Sequence, residues 1–400
     1  MTGSLLPYSH ALDTILDRAR PLGTESVDLH DLTCRVLAAP VTSEVDMPRF
    51  DNSAVDGYAI SEADCLAHAG VLRVVGVSRA GEASTQLVEA GQAVQVFTGA
   101  PIPAGTAAVV MQEDADATGG KVRVCEPPRP GQHVRARGEE FRIGDRLLAP
   151  GTLCGPAQVA LAASSGRSRF EVYRRPRVAV LTTGDELVSP GSPLADGQIY
   201  ASNGLALTSA LERLHLLAGH RLHARDDEAE TRATVGQALR DCDVLLTAGG
   251  VSVGAHDYVR GAFEVNGIRE AFWGVAIKPG APMYFGTGRH RLVFGLPGNP
   301  VSALVCFQLF VRPALRSMLG LGPERPGIAT LARDLHKKAG RAEFVRGVRH
   351  GREVVPIPAR GSHMMGGLAA ASCLIHLPIE ATSVVSGSQV EVIDLRWGLE

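Results

Sequence analysis

From about residue 177 onwards the chain alternates between strand-like and helical patterns, and this alternation constrains the fold more than any other feature. Unbroken apolar runs at residues 178–182 and 244–247 are typical of buried strands, whereas apolar residues recur at helical spacing over 203–218 and 228–240. Strands connected by helices form parallel sheets with both faces covered. Further elements are predicted as strands at 221–224, 271–277 and 292–294 and as a long helix from Pro300 to about residue 319.

The segments on either side of this pattern differ from it. Ser9 is predicted to cap a helix that Pro21 stops, and the β-rich stretch that follows carries a hairpin turn at Gly119-Gly120. After Gly327 we expect short strands and no helix, which favours a small β-barrel. Strands are predicted at 71–77, 93–98, 107–112, 121–124, 353–357, 373–377 and 389–395, and a short helix at 156–164.

The fold class predicted from these patterns is α/β and multidomain, with a mostly parallel central sheet. The predicted parts are a discontinuous N-terminal and linker domain of residues 1–48 and 138–174, a small β-rich domain of 49–137, an α/β domain of 175–327, and a C-terminal β-barrel domain of 328–400.

Charge and cysteine content exclude several classes of protein. The net charge is −2, so no overall positive field favours nucleic acid or anionic lipid. Seven cysteines without a CxxC pair argue against a disulfide framework or a zinc site and favour a reducing compartment. We expect no signal peptide, and no uninterrupted apolar stretch reaches the roughly 18 residues that a membrane helix needs. The sequence therefore predicts a soluble, cytoplasmic protein.

Chemically useful residues follow the predicted strands, where open parallel sheets bind their ligands. Glycines there let backbone N–H groups approach a phosphate, carboxylates call for a cation such as Mg²⁺, and a lysine can hold an anion. This predicts a site for a phosphorylated ligand, a divalent cation and a second anion. The strand-end candidates are Gly184, Asp185, Glu186, Asp226, Asp227, Gly249, Gly250, Ser252, Gly254, Asp257, Lys278, Pro279, Gly298 and Asn299.

Each of these residues also has a simpler interpretation. Asp226 and Asp227 together are often a helix cap and a first-turn acid, Gly249-Gly250 can be a tight turn, and Lys278 a solvated turn residue. The glycines match neither the P-loop nor the dinucleotide-binding fingerprint. Only their occurrence at successive strand ends favours a common site.

Two further segments pack small polar residues around one functional group. Residues 50–59 surround Asp56, and residues 97–105 place Thr98 where a strand ends in a rigid loop. An Asx-type turn around Asp56 and a turn-forming role for Thr98 remain open alternatives.

The ordered set of segments DNSAVDGYA, FTGAPIPAG, RRPRVAVLTTGDEL, AGGVSVGAHD, IKPG, LPGNPVSA and GSHMM, together with the arm around residues 35–38, resembles the molybdopterin molybdenumtransferase family, the MoeA type shared with the C-terminal domain of gephyrin. The resemblance spans essentially the whole chain. It implies a four-part elongated subunit, a homodimer, and a role in molybdenum cofactor biosynthesis, in which molybdate is inserted into adenylylated molybdopterin with release of AMP.

The resemblance also implies roles for single residues. Asp56 and Thr98 would face the partner subunit's α/β domain across the active cleft. The Mg²⁺ and nucleotide-phosphate end would be served by Glu186, Asp226 or Asp227, and Asp257. Positions near the molybdate pocket are Lys278, Pro279, Ser302, Arg341 and Arg346, where an arginine helps to hold the oxyanion.

The sequence departs from the family pattern at three places. Gly274 and Ala281 stand where relatives often carry basic residues, and Gly366-Gly367 replaces a pair of serines. These departures keep open a catalytically weak paralogue that binds molybdopterin or scaffolds other proteins, including other enzymes of the pathway. A molybdopterin adenylyltransferase is a further alternative, which the additional domains disfavour.

Overall fold

A central six-stranded sheet organises the molecule, described here as a computed structural model that covers residues 5–67, 70–82, 84–126, 128–216, 218–251, 258–358 and 361–399, with only the backbone at 218–220. Four neighbouring strands are parallel, and the two remaining strands on one side are added through antiparallel pairings, so the predicted mostly parallel sheet is confirmed. In spatial order the strands are Ala218–Ala224, Val178–Thr183, Val244–Ala248, Arg291–Leu296, Tyr284–Gly288 and Arg269–Trp273.

Helices cover both faces of this sheet. The predicted helices are confirmed, although the helix predicted at 203–218 already ends at Arg213. Their bounds are Ser202–Arg213, Glu228–Asp241, Tyr258–Val265 and the continuous helix Pro300–Met318, which contains one π-helical segment, Phe307–Val311. By length and composition Pro300–Met318 is apolar enough to cross a membrane, but 83% of that window is buried inside the protein. It is the central core helix of the described chain.

The N-terminal arm packs against this core through the helix Tyr8–Leu16, whose Ala11 and Ile15 are fully buried. The predicted cap at Ser9 is wrong, because Pro7 is the N-cap and Ser9 lies inside the first turn. Proline is well suited to helix starts, since it has no N–H to leave unpaired and its φ is preset.

Residues before and after the small β domain pair with one another, which explains why the N-terminal part is discontinuous in sequence. Thr24–Asp28 pairs antiparallel with Arg169–Tyr173, and Val41–Thr42 pairs with Arg146–Leu148. The predicted helix Pro156–Ser164 packs beside them.

A second six-stranded sheet forms the small β domain. Its hairpin turn at Gly119-Gly120 is confirmed, and both glycines have positive φ. In spatial order its strands are Ala108–Met111, Gly57–Ile60, Gln92–Val96, Val71–Ser78, Lys121–Val124 and Ala115–Thr118; the short pair Asn52–Ser53 and Val134–Arg135 lies beside it.

The C-terminal strands close into a five-stranded barrel. The strand Ala342–His350 pairs with Glu353–Pro356 on one side and with Cys373–Leu377, the last strand of the sheet, on the other. Two expectations are corrected here. The predicted strand 271–277 is broken, and its end, Ile277–Lys278, leaves the central sheet to pair in parallel with Ala342 and Glu343. A short helix, Met365–Ala369, also lies in this region. The barrel strands are Gly327–Leu331, Ala342–His350, Glu353–Pro356, Cys373–Leu377 and Gln389–Asp394, with Leu335–His336 and Ser383–Val384 as a separate pair.

The multidomain α/β fold is thus confirmed. The domain boundaries stay predictions, and both the pairing of Ile277–Lys278 with the barrel and the bridge between Leu6 and Val275 cross them.

Candidate active site

Three parallel strands bring their glycine-rich ends together at one edge of the central sheet. A side chain at Gly249 would meet the carbonyl oxygen and hydroxyl of Thr183 at 3.1 Å, and one at Gly250 would lie 2.3 Å from a methyl group of Val259. A Cβ at Gly298 would lie 3.7 Å from the Cα of Gly249, an ordinary van der Waals contact. Since both residues 249 and 250 have positive φ, glycine is required there for backbone conformation as well as for space.

After the strand Val178–Thr183, the chain turns so that the carboxylate of Glu186 lies against the backbone of Gly184. Gly184 has φ +136°, and the carboxylate of Glu186 occupies the space that a Cβ at residue 184 would need. The neighbouring Asp185 accepts a hydrogen bond from the N–H of Asp226 at 3.2 Å. This bond ties the first two strand ends together, with the carboxylates of Glu186 and Asp226 exposed beside it.

Asp227 has a side-chain hydrogen bond, whereas the Asp226 side chain has none with the residues that the structure describes. It is the N-cap of the helix Glu228–Asp241, and its Oδ1 accepts a hydrogen bond of 2.8 Å from the N–H of Glu230. This is the capping interpretation that the sequence left open, and it is compatible with one carboxylate oxygen remaining for another ligand.

The loop after the strand Arg291–Leu296 is held in place from the neighbouring helix. Asn203 donates a hydrogen bond of 2.7 Å to the carbonyl oxygen of Gly298. Asn299 is the N-cap of the long helix and is exposed, and its side chain makes no capping bond. The helix therefore starts at the same edge as the glycines, with its positive dipole end toward the edge.

Three predicted site residues, Ser252, Gly254 and Asp257, lie outside the described residues. In the described part of the chain no three His, Cys, Asp or Glu side chains form a group that could hold a metal ion. The exposed carboxylates of Glu186 and Asp226 still fit Mg²⁺, because this ion is usually bound through one or two carboxylates together with phosphate oxygens and water.

A second part of the candidate site lies where the central sheet meets the barrel. A small cleft there is lined by Lys278, Pro279, Glu343 and Arg346, together with apolar residues. Lys278 Nζ donates a hydrogen bond to Glu343 Oε1 at 3.2 Å, while the Lys278 side chain stays about half exposed and Glu343 is buried. Sequence reasoning missed Glu343, since a single acid within a strand has no distinguishing pattern.

Arg346 is buried, and no ion pair joins it to an acid among the residues that the structure describes. Its guanidinium donates to the carbonyl oxygens of Met364 and Gly361, at 3.0 and 3.3 Å. Burial lowers the pKa of Arg346 from its ordinary value. The GSHMM segment is thereby fixed to the barrel, and the N–H of Val301 in turn donates to the carbonyl oxygen of Ser362.

The other residues predicted to lie near this cleft differ in how deeply they are buried. Ser302 is buried in the first turn of the long helix, whereas Arg341 is exposed and does not line the cleft. Gly280 has φ +110°, and a Cβ there would lie 2.4 Å from the sulfur of Cys306. The loop after Lys278 can therefore pack against the helix only with glycine at this position.

Asp56 and Thr98 contact each other in the small β domain. Asp56 Oδ1 accepts hydrogen bonds from the backbone N–H of Thr98 at 2.7 Å and from its hydroxyl at 2.8 Å. These bonds hold the pKa of Asp56 below its ordinary value. Within the residues described, neither side chain forms a hydrogen bond or an ion pair with the central sheet. Asp56 and Thr98 are therefore close to each other, but no described contact joins them to the glycine-rich edge of their own chain.

The departures from the family pattern have local structural settings. Gly274 has φ +87°, and a Cβ there would lie 2.8 Å from a methyl group of Leu5. The carbonyl oxygen of Ala281 accepts the N–H groups of Val275 and Met283, and Gly366-Gly367 lies in the short helix Met365–Ala369.

Comparison with known proteins agrees with this arrangement. Residues 6–166 match the family described as the MoeA N-terminal region (domain I and II), residues 179–317 the "Probable molybdopterin binding domain", and residues 329–395 the MoeA C-terminal region (domain IV).

Among curated relatives, a molybdopterin molybdenumtransferase of Haemophilus influenzae is 37% identical, with 93% of this chain and 94% of the relative covered. Molybdopterin molybdenumtransferase 2 of Mycobacterium tuberculosis is 34% identical over 98% and 99%. The crystal structure of the molybdopterin biosynthesis MoeA protein of Pyrococcus horikoshii superposes with a TM-score of 0.81 at 32% identity, covering 97% of this chain and 98% of that one. The chain therefore belongs to the molybdopterin molybdenumtransferase family and is a transferase of molybdenum cofactor biosynthesis.

Proposed function

We propose that the chain inserts molybdate into adenylylated molybdopterin, with release of AMP, in a Mg²⁺-dependent reaction. The observation that carries the proposal is that Lys278 and Arg346, which lie far apart in the chain but on two paired strands, line one cleft beside the start of the long helix. Two cations against the one carboxylate of Glu343 leave this cleft net positive, as binding of an oxyanion such as molybdate requires.

The glycine-rich edge is proposed to hold the phosphorylated part of the substrate. Backbone N–H groups around Gly184, Gly249, Gly250 and Gly298 can approach phosphate oxygens closely, and the helix start after Asn299 adds a favourable dipole. Ser252 and Gly254 continue the same glycine-rich loop in sequence and are proposed as further contacts.

Acidic residues on this edge are proposed to hold Mg²⁺. Glu186, Asp257 and either Asp226 or Asp227 would supply its carboxylate ligands, as the resemblance implies. When bound, the ion neutralises charge that develops on the phosphate oxygens. Asp185 would position Asp226 through its hydrogen bond to that residue's N–H.

In the proposed reaction, displacement at the adenylyl phosphate releases AMP and is coupled to transfer of molybdenum to the dithiolene. The chain would act by positioning the two substrates and by electrostatic stabilisation, without a covalent enzyme intermediate. Lys278 would orient molybdate, supported by Pro279 and Ser302, while Arg346 would contribute fixed positive charge and Arg341 a second, exposed one.

We propose a homodimer in which Asp56 and Thr98 face the central sheet of the partner subunit. Two observations support this assignment: the two side chains are hydrogen-bonded to each other, and among the described residues neither is bonded to the central sheet of its own chain. A cytoplasmic location is proposed from the cysteines, all seven of which are free thiols.

A paralogue that binds molybdopterin without turnover is a second candidate, favoured by the setting of Gly274. Its left-handed backbone conformation disfavours the basic side chain that relatives often carry.

One assay separates these functions. The purified protein is mixed with adenylylated molybdopterin, Mg²⁺ and molybdate, and AMP is followed by chromatography. We expect AMP release that depends on molybdate. Consumption of ATP with molybdopterin would instead indicate an adenylyltransferase, and binding without turnover would indicate the non-catalytic paralogue.

A further inference from the structure

The edge of the central sheet opposite the candidate active site carries an arginine-lined groove. Two adjoining clefts, of about 610 and 330 Å³, share Pro21, Leu22 and the turn residues Arg289, His290 and Arg291. The strands begin here, with Val178, Val244 and Leu292 in register. At about 3.3 Å per residue, the five residues of Val244–Ala248 separate this groove from the glycine-rich edge by about 16 Å.

Among the described residues that line the groove, the one carboxylate is that of Asp243, and it is already neutralised. Asp243 accepts hydrogen bonds from both terminal nitrogens of Arg174, at 3.1 Å each, and from the N–H of Arg177 at 2.8 Å. Burial alone would raise the pKa of Asp243, but these hydrogen bonds hold it below its ordinary value. Asp243 therefore stays charged and forms ion pairs with both Arg174 and Arg177.

Four other arginines of the groove have no such partner. Arg18, Arg269, Arg289 and Arg291 line the larger cleft, and no ion pair is found for them in the described part of the chain. The Nε of Arg291 is buried and has no hydrogen-bond acceptor. Like charges gathered in one concave surface repel one another, so a bound anion would relieve this repulsion.

The turn that presents two of these side chains is conformationally costly. Arg289 and His290 have φ of +44° and +67° between the strands Tyr284–Gly288 and Arg291–Leu296. Such turns favour Asn-Gly, and each non-glycine residue with positive φ costs energy. The chain keeps basic residues where glycine or asparagine would be more stable.

The geometry points to a second anion-binding site in this groove, for a soluble phosphorylated small molecule of about mononucleotide size. The combined volume suits such a ligand, and planar guanidinium groups bind phosphate oxygens in pairs. Because Arg18 belongs to the N-terminal arm and Arg269 to the central sheet, the ligand would bridge the two. This site goes beyond the proposed reaction and shares none of its residues.

Calorimetric titration of the full chain with pyrophosphate, at constant ionic strength, tests the site. The groove variant carries Arg18→Gln and Arg269→Gln, both at exposed positions, so folding is preserved. Its matched control carries Arg73→Gln and Arg123→Gln in the small β domain, which removes the same charge elsewhere. Lys278→Ala serves to detect pyrophosphate bound in the proposed molybdate cleft of the active site.

We expect the wild type, the matched control and Lys278→Ala to bind pyrophosphate alike, and the groove variant to bind about tenfold more weakly or worse. Citrate of equal charge should bind more weakly than pyrophosphate, and AMP release by the groove variant should equal that of the wild type. Equal pyrophosphate affinity in all four proteins, loss of binding in Lys278→Ala instead, or citrate binding as tight as pyrophosphate would each overturn the proposal. So would a change of oligomeric state in the groove variant on gel filtration, which would make the groove a subunit interface.

Discussion

The Nζ of Lys278 lies 3.2 Å from Oε1 of Glu343, and the two residues are direct partners where the short strand Ile277–Lys278 pairs in parallel with the barrel strand Ala342–His350. The buried carboxylate holds the ammonium group of a lysine whose side chain is about half exposed. Lys278 thus keeps its charge toward the cleft, which is the arrangement expected of a residue that receives an anion.

Lys278→Ala should therefore impair the use of molybdate more than the binding of the pterin. We expect the molybdate concentration for half-maximal AMP release to rise about tenfold or more, because one charge-assisted hydrogen bond is lost. Lys121→Ala, on the exposed β-hairpin, is the control for removing a lysine. An unchanged molybdate dependence in Lys278→Ala would remove this residue from the oxyanion site.

Arg346→Lys should destabilise the protein although it keeps the charge. Lysine cannot reproduce the two hydrogen bonds to the carbonyl oxygens of Met364 and Gly361 with one planar group. We expect the free energy of unfolding in urea to fall by about 1–3 kcal/mol, the usual cost of unsatisfied buried polar groups. Arg341→Lys, at an exposed position, should unfold like the wild type. Equal stability of both variants would contradict a structural role of the Arg346 guanidinium.

Thr98→Val should raise the pKa of Asp56, because it removes the hydroxyl donor while the backbone N–H remains. A carboxyl with a lowered folded-state pKa stabilises the folded state above its unfolded pKa of about 3.9, and this stabilisation is lost as the pH falls through the folded-state pKa. Acid unfolding of Thr98→Val should thus begin at a higher pH. NMR titration of the Asp56 carboxyl group measures this pKa shift directly, and Thr118→Val is the control variant. An unchanged pKa of Asp56 in Thr98→Val would show that the hydroxyl does not contribute.

Substitutions should show that Asp226 and Asp227 have different roles, Asp227 in capping a helix and Asp226 in binding Mg²⁺. Asp227→Ala should lower the free energy of unfolding by about 1 kcal/mol, as loss of an N-cap does, whereas Asp227→Asn should retain the cap. Asp226→Asn and Asp257→Ala should instead shift the Mg²⁺ concentration needed for AMP release. If Asp227→Asn shifts the Mg²⁺ titration and Asp226→Asn does not, Asp227 is the ligand of the pair.

The glycine-rich edge was predictable from the order of elements alone. Parallel strands end on one side of a sheet, so Gly184, Gly249 and Gly298 had to lie near one another once the strands were recognised. Arg346 was reached only through resemblance to a family. Nothing in a nine-residue strand distinguishes an arginine that binds two carbonyl oxygens of a later loop from one that faces solvent.

The break after Trp273 was not predictable for a related reason. Residues 271–277 read as one apolar run, but Gly274 takes a left-handed conformation and residues 275–277 turn away from the sheet. A glycine in an apolar run gives no indication of which of two sheets will take the next residues. The arginine groove escaped sequence reasoning because its residues come from the N-terminal arm, a strand start and a turn that are far apart in the chain.

The crossing of the segment Ile277–Lys278 into the barrel has a consequence for biosynthesis of the chain itself. The central sheet can be complete while the ribosome is still adding the barrel strands, since domains generally fold in order of synthesis. Lys278 then has neither its partner strand nor Glu343, and the cleft has no Arg346. The cleft of Lys278 and Arg346, where we propose that molybdate binds, therefore forms later than the glycine-rich edge, so a prematurely ended chain could fold that edge but would lack this cleft.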